Sequence, residues 1–264
     1  MPYRHELDVA LEAACEAADI LLRHWEKSED NPVTQADLEA DRAIVARLRG
    51  AFPADAMLSE ETARDAGRTA KRRAWIVDPM DGTKEFIQKI PEFAVSIGLV
   101  EEGEPVVGVI VNPPAKIAVF AVRGAGTHRG HLAPGRDGAA LRATASRVSV
   151  SPCTRLEEAR VIASRTEISR DQLSAYAPWF GQLVPVGSIA WKLACIACGD
   201  GDLNLSVAPK NEWDVCAGDL LVREAGGRYC AFDGSLRRYN QADPLIAQGM
   251  VAGSPALVEA FRAR

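Results

Sequence analysis

Two carboxylates separated by a Pro-Met pair, and followed at once by glycine and threonine, form the stretch of this chain best suited to chemistry. They lie in Trp75-Ile76-Val77-Asp78-Pro79-Met80-Asp81-Gly82-Thr83-Lys84-Glu85-Phe86-Ile87. The apolar opening reads as a buried strand. Pro79 fixes its own φ and biases Asp78 toward extended geometry, so Asp78 leaves the strand end in a defined direction. Gly82 lets a ligand approach the backbone closely. A helix opening near Thr83 would turn free N–H groups toward the space that the two Asp side chains face. Carboxylates beside anion-seeking amides suit a pocket shared by a divalent cation and a phosphate. Asp-Gly alone is ordinary turn chemistry, so the specificity lies in the whole block. An EF-hand is excluded, because Met80 and Gly82 would fall at its third and fifth positions.

Asp78-Pro79-Met80-Asp81-Gly82-Thr83 resembles the first motif of the inositol monophosphatase superfamily, which are Mg2+-dependent, lithium-sensitive phosphomonoesterases. Lys84-Glu85-Phe86 is similar to the 3'(2'),5'-bisphosphate nucleotidase branch. Trp213-Asp214-Val215-Cys216-Ala217-Gly218 resembles the second family motif, W-D-x-x-A-G. By itself Asp214 reads as a first-turn acid favoured by the helix dipole. With the first motif in the same chain, it reads as a metal ligand.

Other stretches extend the resemblance. Met57-Leu58-Ser59-Glu60-Glu61 reads as a short strand ending in adjacent like charges, which repel, although exposed Glu pairs are common. It is similar to the family's S-E-E stretch, which implies Glu60 as a ligand and Glu61 as support. In Val33-Thr34-Gln35-Ala36-Asp37 the Asp suffices as the N-cap of a following helix. Resemblance to V-T-x-x-D implies that Asp37 also stands beside the catalytic Thr and water. Gly187-Ser188 with Lys192, and Ser164-Arg165, resemble substrate-binding stretches of the nucleotidases. Their plain readings are an N-cap for Ser188 and a solvated helix face for Lys192. One departure is clear. Many bisphosphate nucleotidases carry an Arg in the region of Asn204–Ser206, whereas here the nearest cation is Lys210.

The resemblance implies that Glu60, Asp78 and the Met80 carbonyl hold one Mg2+ ion, and that Asp78, Asp81 and Asp214 hold a second, with a third, weaker ion beside them. Four carboxylates brought together would repel and take up protons unless cations offset them. An all-oxygen ligand set suits Mg2+ better than zinc. Thr83 and Glu60 would orient and deprotonate a water, Asp37 would orient Thr83, and the Gly82 and Thr83 amides would bind phosphate. Asp81, Gly82, Thr83, Ser164, Gly187, Ser188, Lys192 and Asp214 would contact the substrate. Attack by water is expected to be direct. The chain has no Cys-x5-Arg nucleophile motif, and Asp78-Pro79-Met80-Asp81 lacks the D-x-D spacing of aspartyl-phosphate enzymes.

The elements that must place these residues follow from periodicity. Leu7, Leu11, Ala14, Ala18, Leu21 and Trp25 recur at helical spacing over the first 27 residues, and Leu38, Ile44, Val45 and Leu48 form a second such pattern. Residues 62–73 read as a mobile polar loop. Glu92–Val100, Pro105–Asn112 and Ile117–Arg123 read as an antiparallel meander; Gly124-Ala125-Gly126-Thr127 continues into another strand, Arg147–Val150 adds one more, and Gly135–Gly138 reads as an exposed loop. From Val161 the pattern alternates. Strands are expected at Val161–Ala163, Leu183–Val186, Asp202–Val207, Arg228–Phe232 and Gly249–Ala252. Helices are expected at Arg170–Trp179, Ala190–Cys198, Glu212–Glu224 and Pro255–Arg264. This gives an N-terminal α+β half, 1–150, carrying the metal and phosphate site. A C-terminal α/β half, 151–264, carries Asp214 and the substrate-selecting residues. The fold class is α+β with α/β. The resemblance implies the αβαβα layered sandwich of the inositol monophosphatase and fructose-1,6-bisphosphatase-like fold.

Composition bounds the rest. The 264 residues are 47% hydrophobic and 25% charged with net charge −5, which is ordinary for a globular protein and argues against a nucleic-acid polymer as partner. No apolar run approaches the roughly 20 residues of a membrane span, and the start lacks a signal-peptide core. Six scattered cysteines point to reduced thiols and a cytoplasmic setting. Cys195-x-x-Cys198 lacks a thioredoxin-like context and reads as two small core residues. The expected partner is a small phosphate ester, and a homodimer is usual in the family. The expected activity is hydrolysis of the 3'-phosphate of adenosine 3',5'-bisphosphate. An inositol-1-monophosphatase or fructose-1,6-bisphosphatase type is the alternative, and a non-catalytic metal- or nucleotide-binding regulator is a more distant one.

Overall fold

The computed structural model describes residues 2–27, 32–62, 64–132 and 138–264, with backbone alone at 32–34. Helices α1 (Arg4–Glu26) and α2 (Pro32–Ala51) open the chain as an antiparallel pair. Helix α2 begins at Pro32, where the missing N–H is no loss. Asp37 therefore sits inside the helix rather than capping it, which corrects the N-cap expectation.

A seven-stranded sheet follows in sequential order: β1 (Ala56–Ser59), β2 (Arg73–Asp81), β3 (Ala94–Glu101), β4 (Glu104–Asn112), β5 (Ile117–Val122), β6 (Gly126–His131) and β7 (Ser146–Val148). Strands β1 and β2 are parallel, and the remaining pairs are antiparallel. The single turn α3 (Thr83–Ile87) continues β2, and α4 (Gly138–Thr144) precedes β7. The loop expected over Gly135–Gly138 lies outside the described residues except for Gly138, which begins α4.

The second sheet has the order β12-β14-β10-β8-β9. Its strands are β8 (Arg160–Ser164), β9 (Gln182–Val186), β10 (Leu203–Ser206), β12 (Arg228–Ala231) and β14 (Met250–Gly253). Strands β11 (Lys210–Asn211) and β13 (Leu245–Ile246) pair separately. Helices α5 (Arg165–Ser169), α6 (Ile189–Ala197), α7 (Glu212–Glu224) and α8 (Pro255–Arg262) complete the chain. The helix expected over Arg170–Trp179 is not formed. The helical turn lies earlier, at α5, where Ser164 caps it, and only Ala177–Trp179 make a further 3-10 turn.

Three apolar clusters show the layering. The first joins α1 and α2 to one face of the large sheet. The second joins the other face to α6, α7 and the near face of the small sheet. The third lies between the small sheet and α8. The result is an αβαβα sandwich. Helix α7 approaches the large sheet closely because Gly98 and Gly108 carry no side chain: a Cβ there would lie 2.9 Å from Cys216 Sγ and 2.8 Å from the Ala217 carbonyl oxygen.

Within the stretch expected to be a surface loop, residues 64–73 are tied to the body of the protein. Arg68 is buried, and its Nη1 donates to Asn240 Oδ1 at 2.6 Å while Asn240 Nδ2 donates to Arg68 O at 2.9 Å. Among the described residues no helix is long and apolar enough to cross a membrane.

Candidate active site

The end of β2 builds the centre of a pocket. In a regular strand, residues three apart face opposite sides. Here Asp78 pairs with Ser96 and Asp81 with Ala94, with a register shift between them, so β2 carries one extra residue at Pro79-Met80. This bulge resets the alternation and brings both Asp side chains to one pocket. Gly82 follows at φ 102°, a left-handed conformation in which a Cβ would press on the Glu92 carbonyl oxygen at 2.9 Å.

The pocket, about 280 Å³, is lined by Glu60, Asp78, Met80, Asp81, Gly82, Thr83, Ser164, Gly187, Ser188, Lys192 and Asp214, together with Lys84, Glu85, Thr166, Ile189 and Lys210. The acids come from beyond β1, from β2 and from the first turn of α7. Three of them are fixed through one oxygen. Met80 N donates to Asp78 Oδ1 at 2.9 Å. Ser188 Oγ and Ala190 N each donate to Asp81 Oδ2 at 2.6 Å. Asn211 N donates to Asp214 Oδ2 at 2.6 Å, the reach-back of a capping box.

Burial and neighbouring charges raise the affinity of Asp78, Asp214 and Glu60 for protons. Asp78 is pushed well above the usual carboxylate range by burial, then by the charges of Asp81, Glu60, Asp214 and Asp37. Asp214 is raised to about 7 by burial and Asp81, and Glu60 is raised by burial and Glu61. Among the described residues no three His, Cys, Asp or Glu side chains already stand as a closed ligand cluster. The donors nevertheless fit a hard divalent cation: all are oxygens, they share one pocket, and they lack enough positive charge to offset one another.

Asp37 lies outside the pocket lining. Its Oδ1 is buried without a hydrogen-bond partner, and burial with Glu61, Glu60 and Asp41 raises it to about 8. The Thr83 hydroxyl donates to the Met80 carbonyl at 3.4 Å, so no Asp37–Thr83 hydrogen bond is present. Lys192 corrects the expectation of a solvated helix face. It is 3% exposed, its Nζ donates to Ser188 O at 3.0 Å and Val186 O at 3.2 Å, and burial lowers it to about 8. Ser188 does cap α6, accepting from Trp191 N at 3.0 Å, at a positive φ of 54°.

Several contacts in and behind the pocket escaped sequence reasoning. Glu85 was visible only as part of a motif, yet a Cβ on Gly187 would fall 2.2 Å from its Cγ, so the glycine is what admits it. Glu92 accepts from Gly187 N at 2.6 Å and receives a bidentate grip from Arg165. Asp41 accepts from the Ser59 and Thr62 hydroxyls on either side of Glu60-Glu61. No local pattern marks these contacts, because each joins segments distant in sequence. Cys195 and Cys198 are free, and burial raises the Cys198 thiol to about 12, in keeping with core residues rather than a redox pair.

The layered sandwich is shared with solved structures. The CysQ protein of Bacteroides thetaiotaomicron superposes with TM-score 0.81 at 31% identity, over 96% of this chain and 98% of that one. Inositol monophosphatase from Anabaena (Nostoc) gives TM-score 0.81 at 26% identity, over 100% and 96%. Residues 4–263 match the Inositol monophosphatase family, and the chain belongs to that family. It is thus a phosphatase of a family that generally uses Mg2+. It is 33% identical over 270 residues to the Nus factor SuhB of Xylella fastidiosa, covering 97% of this chain and 92% of that protein. It is 31% identical over 234 residues to the 3'(2'),5'-bisphosphate nucleotidase CysQ of Salmonella typhimurium, covering 86% and 87%.

Proposed function

We propose that this phosphatase removes the 3'-phosphate of adenosine 3',5'-bisphosphate, and of its sulfated form, by attack of water. The observation that carries the reading is a pocket with acids able to take a cation beside three lysines, Lys84, Lys192 and Lys210, able to meet further negative charge on a substrate. Similarity to two CysQ proteins supports it.

Glu60, Asp78, Asp81, Asp214 and the Met80 carbonyl would hold the metal. Bound Mg2+ offsets phosphate charge, acidifies a water and stabilises the leaving alkoxide. The residues supply the rest. Glu60 Oε accepts the proton of the attacking water, and Thr83 Oγ1 orients that water. The Gly82 and Thr83 N–H groups bind phosphoryl oxygens. Ser164, Gly187, Ser188 and Lys192 bound the space for the leaving group.

A turnover panel with Mg2+ tests the reading. Adenosine 3',5'-bisphosphate is expected to release phosphate faster than inositol 1-phosphate or fructose 1,6-bisphosphate, and the reverse order overturns it. One observation favours the second reading, an inositol or sugar phosphatase: Asn204–Ser206 carries no Arg, and Asn204 and Ser206 are both buried.

A further inference from the structure

Part of the pocket lining comes from two segments far apart in the chain, and one buried carboxylate joins them. Ser164 and Thr166 belong to the first segment, and Lys210 to the second. Glu167, next to Thr166, is only 2% exposed. Its Oε1 accepts from Ser206 Oγ at 3.0 Å, Val207 N at 2.8 Å and Ala208 N at 2.7 Å, while Oε2 is buried without a partner. Lys210 Nζ donates to the carbonyl of Ala208 at 2.9 Å, the same residue whose N–H Glu167 holds. The lysine therefore rests on a turn whose backbone is fixed by the acid.

Burying a carboxylate costs free energy that three donors on one oxygen only partly offset. What the carboxylate provides is the orientation of two consecutive N–H groups and one hydroxyl. We infer that Glu167 is a positioning residue for substrate selection: it sets the 206–208 turn so that the Lys210 ammonium meets a second anionic group of the substrate. The inference rests on the pocket being a phosphate-ester site.

The test uses matched substrates differing by one phosphate: adenosine 3',5'-bisphosphate against adenosine 3'-phosphate, and inositol 1,4-bisphosphate against inositol 1-phosphate. Glu167→Ala, Lys210→Met and the double variant are compared with wild type. Each single change is expected to raise KM for the bisphosphate about 10-fold, the loss of one charge-assisted contact. The loss on the monophosphate of the same pair should be smaller, so that the preference for the bisphosphate falls, and the double variant should be no worse than Lys210→Met. Ser206→Ala removes one donor from Glu167 and should give a smaller change of the same selectivity, which keeps the test open if Glu167→Ala folds poorly. Equal losses on both members of a pair, or additive effects in the double variant, overturn the inference. So does a wild type that shows no preference within either pair. The proposed nucleotidase activity is judged separately: wild type turning over only the inositol pair ends that reading, while the role of Glu167 is scored on the pair it accepts.

Discussion

Ser188 Oγ lies 2.6 Å from Asp81 Oδ2, so the N-cap of α6 and the end of β2 are joined by one hydroxyl that also accepts from Trp191 N. The segment that bounds the substrate space thus holds one of the acids proposed to take the metal. Ser188→Ala removes both contacts. It is expected to lower stability by about 1 kcal/mol through the lost cap. It should also raise the Mg2+ concentration giving half-maximal activity by roughly 10-fold, the usual effect of losing a group that orients a ligand. A Mg2+ titration of activity beside thermal unfolding separates the two effects. An unchanged titration midpoint would remove Ser188 from the metal site.

Asp81→Asn makes the opposite split. The amide oxygen of Asn can still accept from Ser188 Oγ and Ala190 N, so the local structure has what it needs. A negative charge beside Asp78 and Glu60 is lost. Turnover is expected to fall roughly 100-fold or more, since a charge stabilising the reaction is gone. The metal-free protein should melt no lower than wild type. Mg2+ should stabilise wild type by about 2.7 kcal/mol at a hundred times its Kd, and the variant by much less at the same concentration. Differential scanning fluorimetry with and without a chelator reads both.

Asp219 gives a pH dependence away from the pocket. It is 3% exposed, accepts from Tyr239 OH at 3.0 Å, and has Arg223 Nη1 at 3.8 Å. Burial outweighs both partners and raises it from 3.8 to about 7. A folded-state value above the unfolded one means the native protein binds more protons in that window. The contribution to stability is therefore full below about 3.8 and is lost as the pH rises through about 7. Asp214 and Asp37 act in the same direction. Asp219→Asn should flatten the fall in unfolding midpoint between acid and neutral pH without abolishing it. A wild-type midpoint that rises over this range would contradict the assignment.

How far the sequence revealed this arrangement depended on distance along the chain. Helix α7 is found at Glu212–Glu224, as its periodicity predicts, and the β3–β5 meander follows its turns. Both rest on contacts between neighbours in sequence. Arg68 looked like a loop residue because its partner Asn240 is 172 positions away. Lys192 looked solvated because the sequence does not show that Val186 and Ser188 turn their carbonyls toward it. The acids at Glu60, Asp78, Asp81 and Asp214 were named from motifs, and their shared pocket lies within the reach of that reading. The bulge at Pro79-Met80 that makes the sharing geometrically workable was not named, since a register shift belongs to two strands at once.

The last prediction concerns how the far acid is delivered. Asp214 rides on α7, and α7 lies against β4 where Gly108 leaves room: a Cβ there would stand 2.8 Å from the Ala217 carbonyl oxygen and 3.3 Å from its Cα. The neighbour is backbone in the middle of a helix, so it cannot swing aside as a side chain would. Gly108→Ala must therefore move α7 or the strand, with an overpacking cost of about 1–3 kcal/mol. Because Asp214 sits in the first turn of that helix, less than one turn from Ala217, any shift of α7 also moves its carboxylate relative to Asp78 and Asp81. Gly108→Ala is expected to lower the melting temperature and, at temperatures where it remains folded, to raise the Mg2+ requirement. Gly50→Ala is the control, since a Cβ there meets nothing within 4 Å, and it should leave the Mg2+ requirement unchanged. A Gly108→Ala protein that is less stable but has wild-type Mg2+ dependence would show that Asp214 does not depend on the seating of α7.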